Sequence, residues 1–175
     1  TPFEFRVDKM IEAGKENILT LRVVGPILLS DKNIEGVTAL QTPQWRGGIS
    51  GGVWQNVRLV SSGDTYIKEV FVEPNIHDNT ATFHFILDHT AIKTATAEIE
   101  FDLSEASNPK TKTASKIETL QVQPGLNQYK VVLEIPNAQY WSHDDPFLYL
   151  AKVKLKNKQQ LSEEWHHRFG LRELT

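Results

Sequence analysis

Trp45 and Arg46 are neighbours in a glycine-rich stretch, and their side chains are suited to holding a polar, ring-shaped ligand. The face of an indole offers a flat apolar surface with a polar rim, and a guanidinium forms paired hydrogen bonds to a carboxylate or to hydroxyls. The plainer alternatives are core packing for Trp45 and a solvated surface position for Arg46. We predict these two residues as the candidate ligand-binding site.

Asp144 and Asp145 are adjacent carboxylates just before Pro146. Two catalytic carboxyl groups must face each other across the bond they break, whereas the side chains of neighbours in a turn diverge. Asp side chains in turns commonly accept hydrogen bonds from nearby backbone N–H groups. We therefore predict that this pair caps a turn and has no catalytic role.

His143, His166 and His167 are the side chains most suited to binding a metal ion. Consecutive strand residues point to opposite faces, so His166 and His167 cannot reach one ion from a regular strand. Zinc sites combine His, Cys and carboxylate ligands at defined spacings, and this chain has no cysteine. We predict no metal site and no cofactor.

The composition is that of an ordinary globular protein and argues against several partners. The 175 residues are 39% hydrophobic and 23% charged, with a net charge of -3. Without a basic excess, nucleic acid is not an expected partner. No apolar run of roughly 18 residues occurs, so no membrane span is expected. The absence of cysteine excludes disulfides and leaves the compartment open.

Apolar and polar side chains alternate with a period of two, which is the main secondary-structure signal. The alternation is clearest over residues 81–88, 97–103 and 147–156. On a helix these apolar side chains would scatter around the axis, so we predict strands. The third run carries a row of outward lysines, which we interpret as protection of an exposed strand edge: Lys152, Lys154 and Lys156.

Seven strand-like runs follow residue 65, separated by turns rich in Gly, Pro and Asn. They lie near 66–73, 80–88, 95–103, 116–122, 127–135, 147–156 and 160–169. This spacing predicts an all-β fold of the immunoglobulin-like β-sandwich class. Tyr149 is predicted as a tyrosine corner or as an ordinary core residue, and the polar stretch 110–113 as a loop.

Residues 1–62 show a different pattern. Strands are predicted at 3–7, 18–24 and 53–61, while residues 25–50 show little periodicity, which is typical of a long functional loop. Three strands and a long loop make an incomplete sandwich, so we interpret this part as the end of another domain. The polar stretch 61–64 places the boundary, giving domains at 1–62 and 63–175.

Together the two parts resemble the non-catalytic region of glycoside hydrolase family 2, which includes β-galactosidases, β-glucuronidases and β-mannosidases. The resemblance rests on Gly51–Leu59, on the Trp-Ser, Pro and Leu-Tyr pattern of Trp141–Tyr149, and on Arg168–Arg172. In that family a jelly-roll sugar-binding domain is followed by an immunoglobulin-like sandwich and a TIM barrel. The resemblance implies that 1–62 is the C-terminal part of the jelly-roll (galactose-binding-like) domain and 63–175 the sandwich.

The resemblance implies a parent enzyme that hydrolyses O-glycosidic bonds with retention at the anomeric carbon. Its catalytic pair, a Glu preceded by Asn and a second Glu, belongs to the barrel, and no Asn-Glu occurs here. We therefore expect this chain alone to be inactive, to scaffold the barrel, and to offer Trp45 and Arg46 to the carbohydrate substrate. Arg46 stands roughly where several relatives have an Asp, a departure from β-galactosidases.

Two other functions remain open from the residues: a free-standing carbohydrate-binding module, and a structural or adhesion β-sandwich. The expected partners are the barrel domain of the same parent chain and a carbohydrate. A homodimer is a further expectation, because an incomplete jelly roll exposes strand edges that tend to pair. The parent's compartment is not determined, and a periplasmic or extracellular location is compatible with the family.

Overall fold

A computed structural model describes residues 4–22, 53, 55–157 and 160–173, and the fold is given for these alone. The chain divides into two compact units, Thr1–Leu59 and Val60–Thr175. Every regular element among the described residues is a strand. None of those residues forms a helix of the length and apolarity needed to cross a membrane.

The described part of the first unit is built from turns. The carbonyl of Val7 accepts hydrogen bonds from the N–H groups of Met10 (2.8 Å) and Ile11 (3.1 Å). A second turn is closed by Asn17, whose side-chain amide bonds to both the N–H and the carbonyl of Glu12, each at 3.0 Å. A side-chain amide that bonds to backbone in this way competes with strand pairing.

The strands predicted at 3–7, 18–24 and 53–61 do not occur in the described residues of those stretches. Alternation produces a strand only where a neighbouring strand supplies the backbone hydrogen bonds. Ile18 and Leu19 are both largely exposed, as expected where no strand face is packed. The strand prediction is wrong for these residues, and the jelly-roll assignment of 1–62 stays a prediction.

The described residues of the second unit form seven antiparallel strands in two sheets, which confirms the predicted all-β sandwich. The first sheet has the order β1-β2-β5 and the second the order β4-β3-β6-β7. Because β4 stays beside β3, the sandwich has three strands in one layer and four in the other. The strands are β1 Thr65–Asn75, β2 Thr80–His89, β3 Ala95–Glu105, β4 Asn108–Val122, β5 Gly125–Glu134, β6 Tyr149–Asn157 and β7 Gln160–Phe169.

The observed strand bounds agree with the predicted runs except at β4. The stretch 110–113, predicted as a loop, belongs to this strand and pairs with the end of β3. The pairing register shifts between Leu103 and Ser104, where Lys112 becomes the partner of Ser104. Backbone pairing with β3 therefore extends β4 into residues 110–113, although their polar composition alone suggests a loop.

Alternate residues of the central strands form one apolar core between the two sheets. Phe83 and Phe85 of β2 both contact Phe101 of β3, with ring centroids 5.3 and 5.2 Å apart. All three side chains are essentially buried. Burial of each such ring stabilises the fold by roughly 1.5–3 kcal/mol, so this inter-sheet cluster fixes how the layers face each other.

The carboxylate of Glu163 links the two sheets at one side of the sandwich. β1 and β7 are edge strands of opposite sheets. The Glu163 carboxylate on β7 accepts a hydrogen bond from the N–H of Ile67 on β1 at 2.7 Å. Pairing between β1 and β2 is irregular between Ile67 and Glu69. Glu163 thus satisfies a backbone donor at an irregular edge, where an unpaired N–H would invite another strand.

Tyr149 forms the hydrogen bond of a tyrosine corner. The side chain is buried, and its hydroxyl accepts a hydrogen bond from the N–H of Gln139, ten residues upstream, at 2.8 Å. Its ring stacks on Phe169 with centroids 5.7 Å apart. Burial raises the pKa of the Tyr149 hydroxyl. The ring therefore packs in the core while the hydroxyl anchors the long connection between β5 and β6.

We expect Tyr149→Phe to lower the free energy of unfolding by about 1 kcal/mol, because it removes this hydrogen bond and keeps the ring. Urea unfolding followed by circular dichroism measures the change. Tyr140→Phe is the matched control: its hydroxyl donates to the Asn79 side chain in an exposed position, and its effect should stay within about 0.5 kcal/mol. Equal losses in the two variants would contradict a special role for Tyr149.

Candidate functional site

The predicted ligand-binding pair, Trp45 and Arg46, lies outside the described residues. Trp54 lies outside them too. The candidate chemistry that the structure does describe is in the second unit. It falls into three places: the loop around Asp144, the outer face of the four-stranded sheet, and the end of the sandwich where β7 finishes.

Asp144 and Asp145 lie in a closed turn, but the capping group is Ser142. The Ser142 hydroxyl accepts a hydrogen bond from the N–H of Asp145 at 3.0 Å, and the N–H of Ser142 donates to the Asp145 carbonyl at 2.9 Å. The Asp144 carboxylate lies 3.1 Å from the ring of His143, and both side chains are over 80% exposed. The predicted Asp cap is wrong in its capping group, and these contacts build a solvent-facing turn.

The consecutive histidines take opposite faces of β7. In the pairing with β6, His166 stands opposite Lys152 and His167 opposite Ala151. The ring of His167 lies 5.9 Å from that of Trp165, which packs against the core. Across the described residues, no group of three His, Asp or Glu side chains is placed to hold a metal ion.

The outer face of the four-stranded sheet carries a row of opposite charges. The carboxylates of β3 stand directly across from the lysines of β6, so each acidic position has a basic one beside it. Such cross-strand pairs are favourable, whereas like charges in these positions would repel. The pairs in register are Glu98 with Lys156, Glu100 with Lys154, and Asp102 with Lys152.

Glu100 and Asp102 are the centre of this ionic network. Lys112 from β4 reaches both carboxylates at 2.7 Å. Lys154 lies 2.8 Å from Asp102 and 3.4 Å from Glu100. Lys156 adds a contact of 2.8 Å to Glu100. The side chains of Glu100 and Asp102 are only 13% and 5% exposed, so these pairs are better shielded from solvent than ordinary surface ion pairs.

The outward lysines of β6 therefore do not protect a sheet edge. β6 lies between β3 and β7, inside the sheet. Lys154 and Lys156 neutralise the carboxylates of the neighbouring strand. The interpretation of this row as edge protection is wrong, because a lysine row looks the same in sequence whether its neighbour is solvent or an acidic strand.

The ammonium groups hold the network in its charged state. Hydrogen bonds from Lys112 and then Lys156 keep the pKa of Glu100 well below its usual range. The pKa values of Lys112 and Lys154 are raised, in both cases first by the hydrogen bond to Asp102. A general acid needs a pKa near the working pH. Glu100 is therefore suited to holding three strands together and unsuited to donating a proton.

Aromatic side chains gather at the end of the sandwich where β7 finishes. Trp141 donates its backbone N–H to the carbonyl of Leu171 at 3.0 Å. The guanidinium of Arg172 lies 4.8 Å from the centre of the Trp141 ring, within range of a cation–π contact. The Trp141 and Arg168–Arg172 segments, far apart in sequence, thus meet at one place. Sequence reasoning identifies both segments but gives no sign that they touch.

The fold defines the class of this part of the chain: a seven-stranded immunoglobulin-like β-sandwich. The model of glycosyl hydrolases family 2 matches residues 65–172, from the first residue of β1 to Arg172. The chain belongs to this family. The predicted resemblance is therefore confirmed.

Comparison with individual proteins agrees. The chain is 25% identical over 174 residues to a β-galactosidase of Thermoanaerobacter pseudethanolicus, a match that covers 98% of this chain and 22% of that protein. The chain thus spans about a fifth of the length of this relative.

Solved structures show the same fold. A family 2 glycosyl hydrolase of Bacteroides cellulosilyticus aligns with a TM-score of 0.58 at 21% identity, over 65% of this chain and 16% of that one. A β-glucuronidase of family 2 aligns with a TM-score of 0.50 at 17% identity, over 62% and 11%. At these identities the likeness concerns the fold.

The pKa shifts predict how the ionic network responds to pH. Since the pKa of Glu100 is lower in the folded chain, its contribution to stability is complete above its ordinary value of 4.5 and is lost as the pH falls through the folded pKa. The raised pKa of Lys156 acts in the opposite direction: its contribution is complete below 10.5 and is lost as the pH rises through the folded pKa.

We expect Glu100→Gln to lower the free energy of unfolding at pH 7 by roughly 1.5–3 kcal/mol, the usual loss for a hydrogen bond to a charged group. Its stability should also fall less steeply than that of the wild type as the pH drops below 4.5. Urea unfolding between neutral and acidic pH measures both effects. The exposed Glu134→Gln on the other sheet is the control, and identical acid profiles for the two variants would refute the role of the network.

Proposed function

We propose that this chain is a non-catalytic scaffold and sugar-contacting part of a larger retaining β-glycosidase. The observation that carries the proposal is the extent of the matches: the family model covers the sandwich, and the similarity to the β-galactosidase covers nearly all of this chain but only 22% of that protein. Hydrolysis of the O-glycosidic bond belongs, in this proposal, to a barrel domain elsewhere in the parent chain.

The acids of the sandwich support a scaffold role. Retaining glycosidases need two carboxyl groups roughly 5–5.5 Å apart across the scissile bond, one of them protonated at the working pH. Glu100 and Asp102 are the most shielded carboxylates of the ionic network, but both are bound to lysines. The lowered pKa of Glu100 favours its ionised form, which opposes a role as proton donor.

Trp45 and Arg46 remain the proposed contact to the carbohydrate. An indole face stacks on the apolar face of a sugar ring, and a guanidinium bonds to hydroxyls or to a carboxylate substituent. The glycines that follow, Gly47 and Gly48, permit a close approach of backbone to a ligand. The proposed division of labour is that this pair orients the sugar while the barrel breaks the bond.

The purified chain is expected to release no nitrophenol from nitrophenyl β-galactoside, β-glucuronide or β-mannoside, because it lacks the proposed catalytic pair. The parent protein, assayed in parallel, should hydrolyse at least one of the three. Nitrophenol absorbance measures both. Turnover by the chain alone that survives repurification would overturn the scaffold assignment.

In the parent protein, Trp45→Ala is expected to raise KM by about 10-fold with a smaller change in kcat, because stacking on the sugar contributes to ground-state and transition-state binding alike. Steady-state kinetics measures the split. Trp165→Phe, which alters an indole packed against the core, is the control and should leave KM unchanged. If the isolated chain instead binds sugar as tightly as the parent does, a free-standing binding module becomes the better description.

A further inference from the structure

Two connections are tied together at the end of the sandwich where β7 finishes. They are the turn 76–79 between β1 and β2 and the segment 135–148 between β5 and β6. The N–H of Ile135 donates to the carbonyl of Asn79 at 2.7 Å. The hydroxyl of Tyr140 donates to the side-chain oxygen of Asn79, also at 2.7 Å. These two hydrogen bonds join the two connections, which are together called the rim.

The chain after β7 is held against this rim although it forms no strand. Leu171 is fully buried, and its carbonyl accepts the N–H of Trp141. The guanidinium of Arg172 lies over the Trp141 ring. The carboxylate of Glu173 lies 3.4 Å from the ring nitrogen Nε2 of His77. Three successive residues thus each have a partner on the rim.

Gly170 lets the backbone lie directly on the indole of Trp141. A Cβ atom at position 170 would lie 2.8 Å from the Trp141 Cβ, closer than real Cβ contacts allow, and 3.0 Å from its Cγ, tighter than most such contacts. The backbone of Gly170 does not have a positive φ, unlike that of Gly125. The glycine is therefore required by the close approach of Trp141 and not by an unusual backbone conformation.

The contacts beyond Leu171 add little to the core. Arg172 and Glu173 are exposed, and Leu171 is the last buried side chain among the residues that the structure describes. The contacts of Arg172 with Trp141 and of Glu173 with His77 therefore mainly fix the direction of an exposed stretch of chain. The family match also runs past the end of β7 to residue 172, so it includes this held segment.

We propose that Trp141, Gly170 and Arg172, here called the exit clamp, fix the direction in which the chain leaves the sandwich and thereby position the catalytic domain of the parent glycosidase. The inference rests on the proposed function. A clamp of this kind matters for catalysis because, in the proposed function, the groups that orient the sugar and the groups that break the bond belong to different parts of the parent protein and must keep their mutual placement. A misplacement of about 1 Å can cost up to about 100-fold in rate. The clamp residues are positioning residues that touch no substrate.

The test inserts two glycines between Leu171 and Arg172 of the parent protein, which moves Arg172 and the chain that follows away from Trp141 and Gly170 and leaves the buried residues of the core unchanged. The expected result is a fall in kcat/KM of at least about 10-fold with an unchanged melting temperature of the sandwich. Small-angle scattering should show a larger radius of gyration. The matched control is the same insertion between Ala91 and Ile92, in the exposed loop at the opposite end.

Arg172→Gln is the second variant, because an exposed side chain can be changed without loss of folding. It should lower kcat/KM in the same direction as the insertion and by less, again without a change in melting temperature. A parent with glycosidase activity whose insertion variant keeps kcat/KM within about twofold would overturn the exit clamp alone. A wild-type parent without glycosidase activity would overturn the proposed function, and the clamp with it.

Discussion

The pairing of β3 with β6 in a single register is the constraint on which the rest of the sandwich depends. In this register the apolar side chains of both strands face the core, and the charged ones meet on the outer face as acid–lysine neighbours. Because side chains alternate with a period of two, a slip of one residue would turn the carboxylates of β3 into the core. Burying unpaired charges costs several kcal/mol for each ion, so both faces of the sheet enforce the same register.

The positions of the neighbouring strands, β4 and β7, follow from this pair. β4 follows β3 through polar contacts: Lys112 bridges Glu100 and Asp102, and the Ser115 hydroxyl donates to Asp102 at 2.6 Å. These contacts favour β4 in the four-stranded sheet, where its first half has little apolar surface to bury. At the opposite edge, Glu163 links β7 to the N–H of Ile67 in the other sheet. Charged side chains thus act together with the hydrophobic core to fix the order of the strands.

Sequence alone predicts the strands wherever one face is apolar along a whole run, as in β2, β3 and β6. It does not reveal the neighbour across the sheet, so the lysines of β6 resemble edge protection until β3 is seen beside them. It also underestimates β4, whose polar first half is paired through Lys112 and a shift in register. In the turn before Pro146 both Ser142 and the Asp side chains are chemically able to cap, and only geometry selects Ser142.

The sequence likewise shows the residues of the candidate site but not the contacts between them. The motifs that carry the family resemblance lie around Trp141 and around Gly170, and each can be recognised by itself. In the structure these two segments, which are distant in sequence, contact each other. A glycine that permits a close approach between backbone and a side chain cannot be recognised from the pattern of apolar and polar residues. The acids show a related ambiguity, since a carboxylate row has the composition of a catalytic site. The lysines that surround Glu100 and lower its pKa favour a structural role for this residue and oppose a role as proton donor.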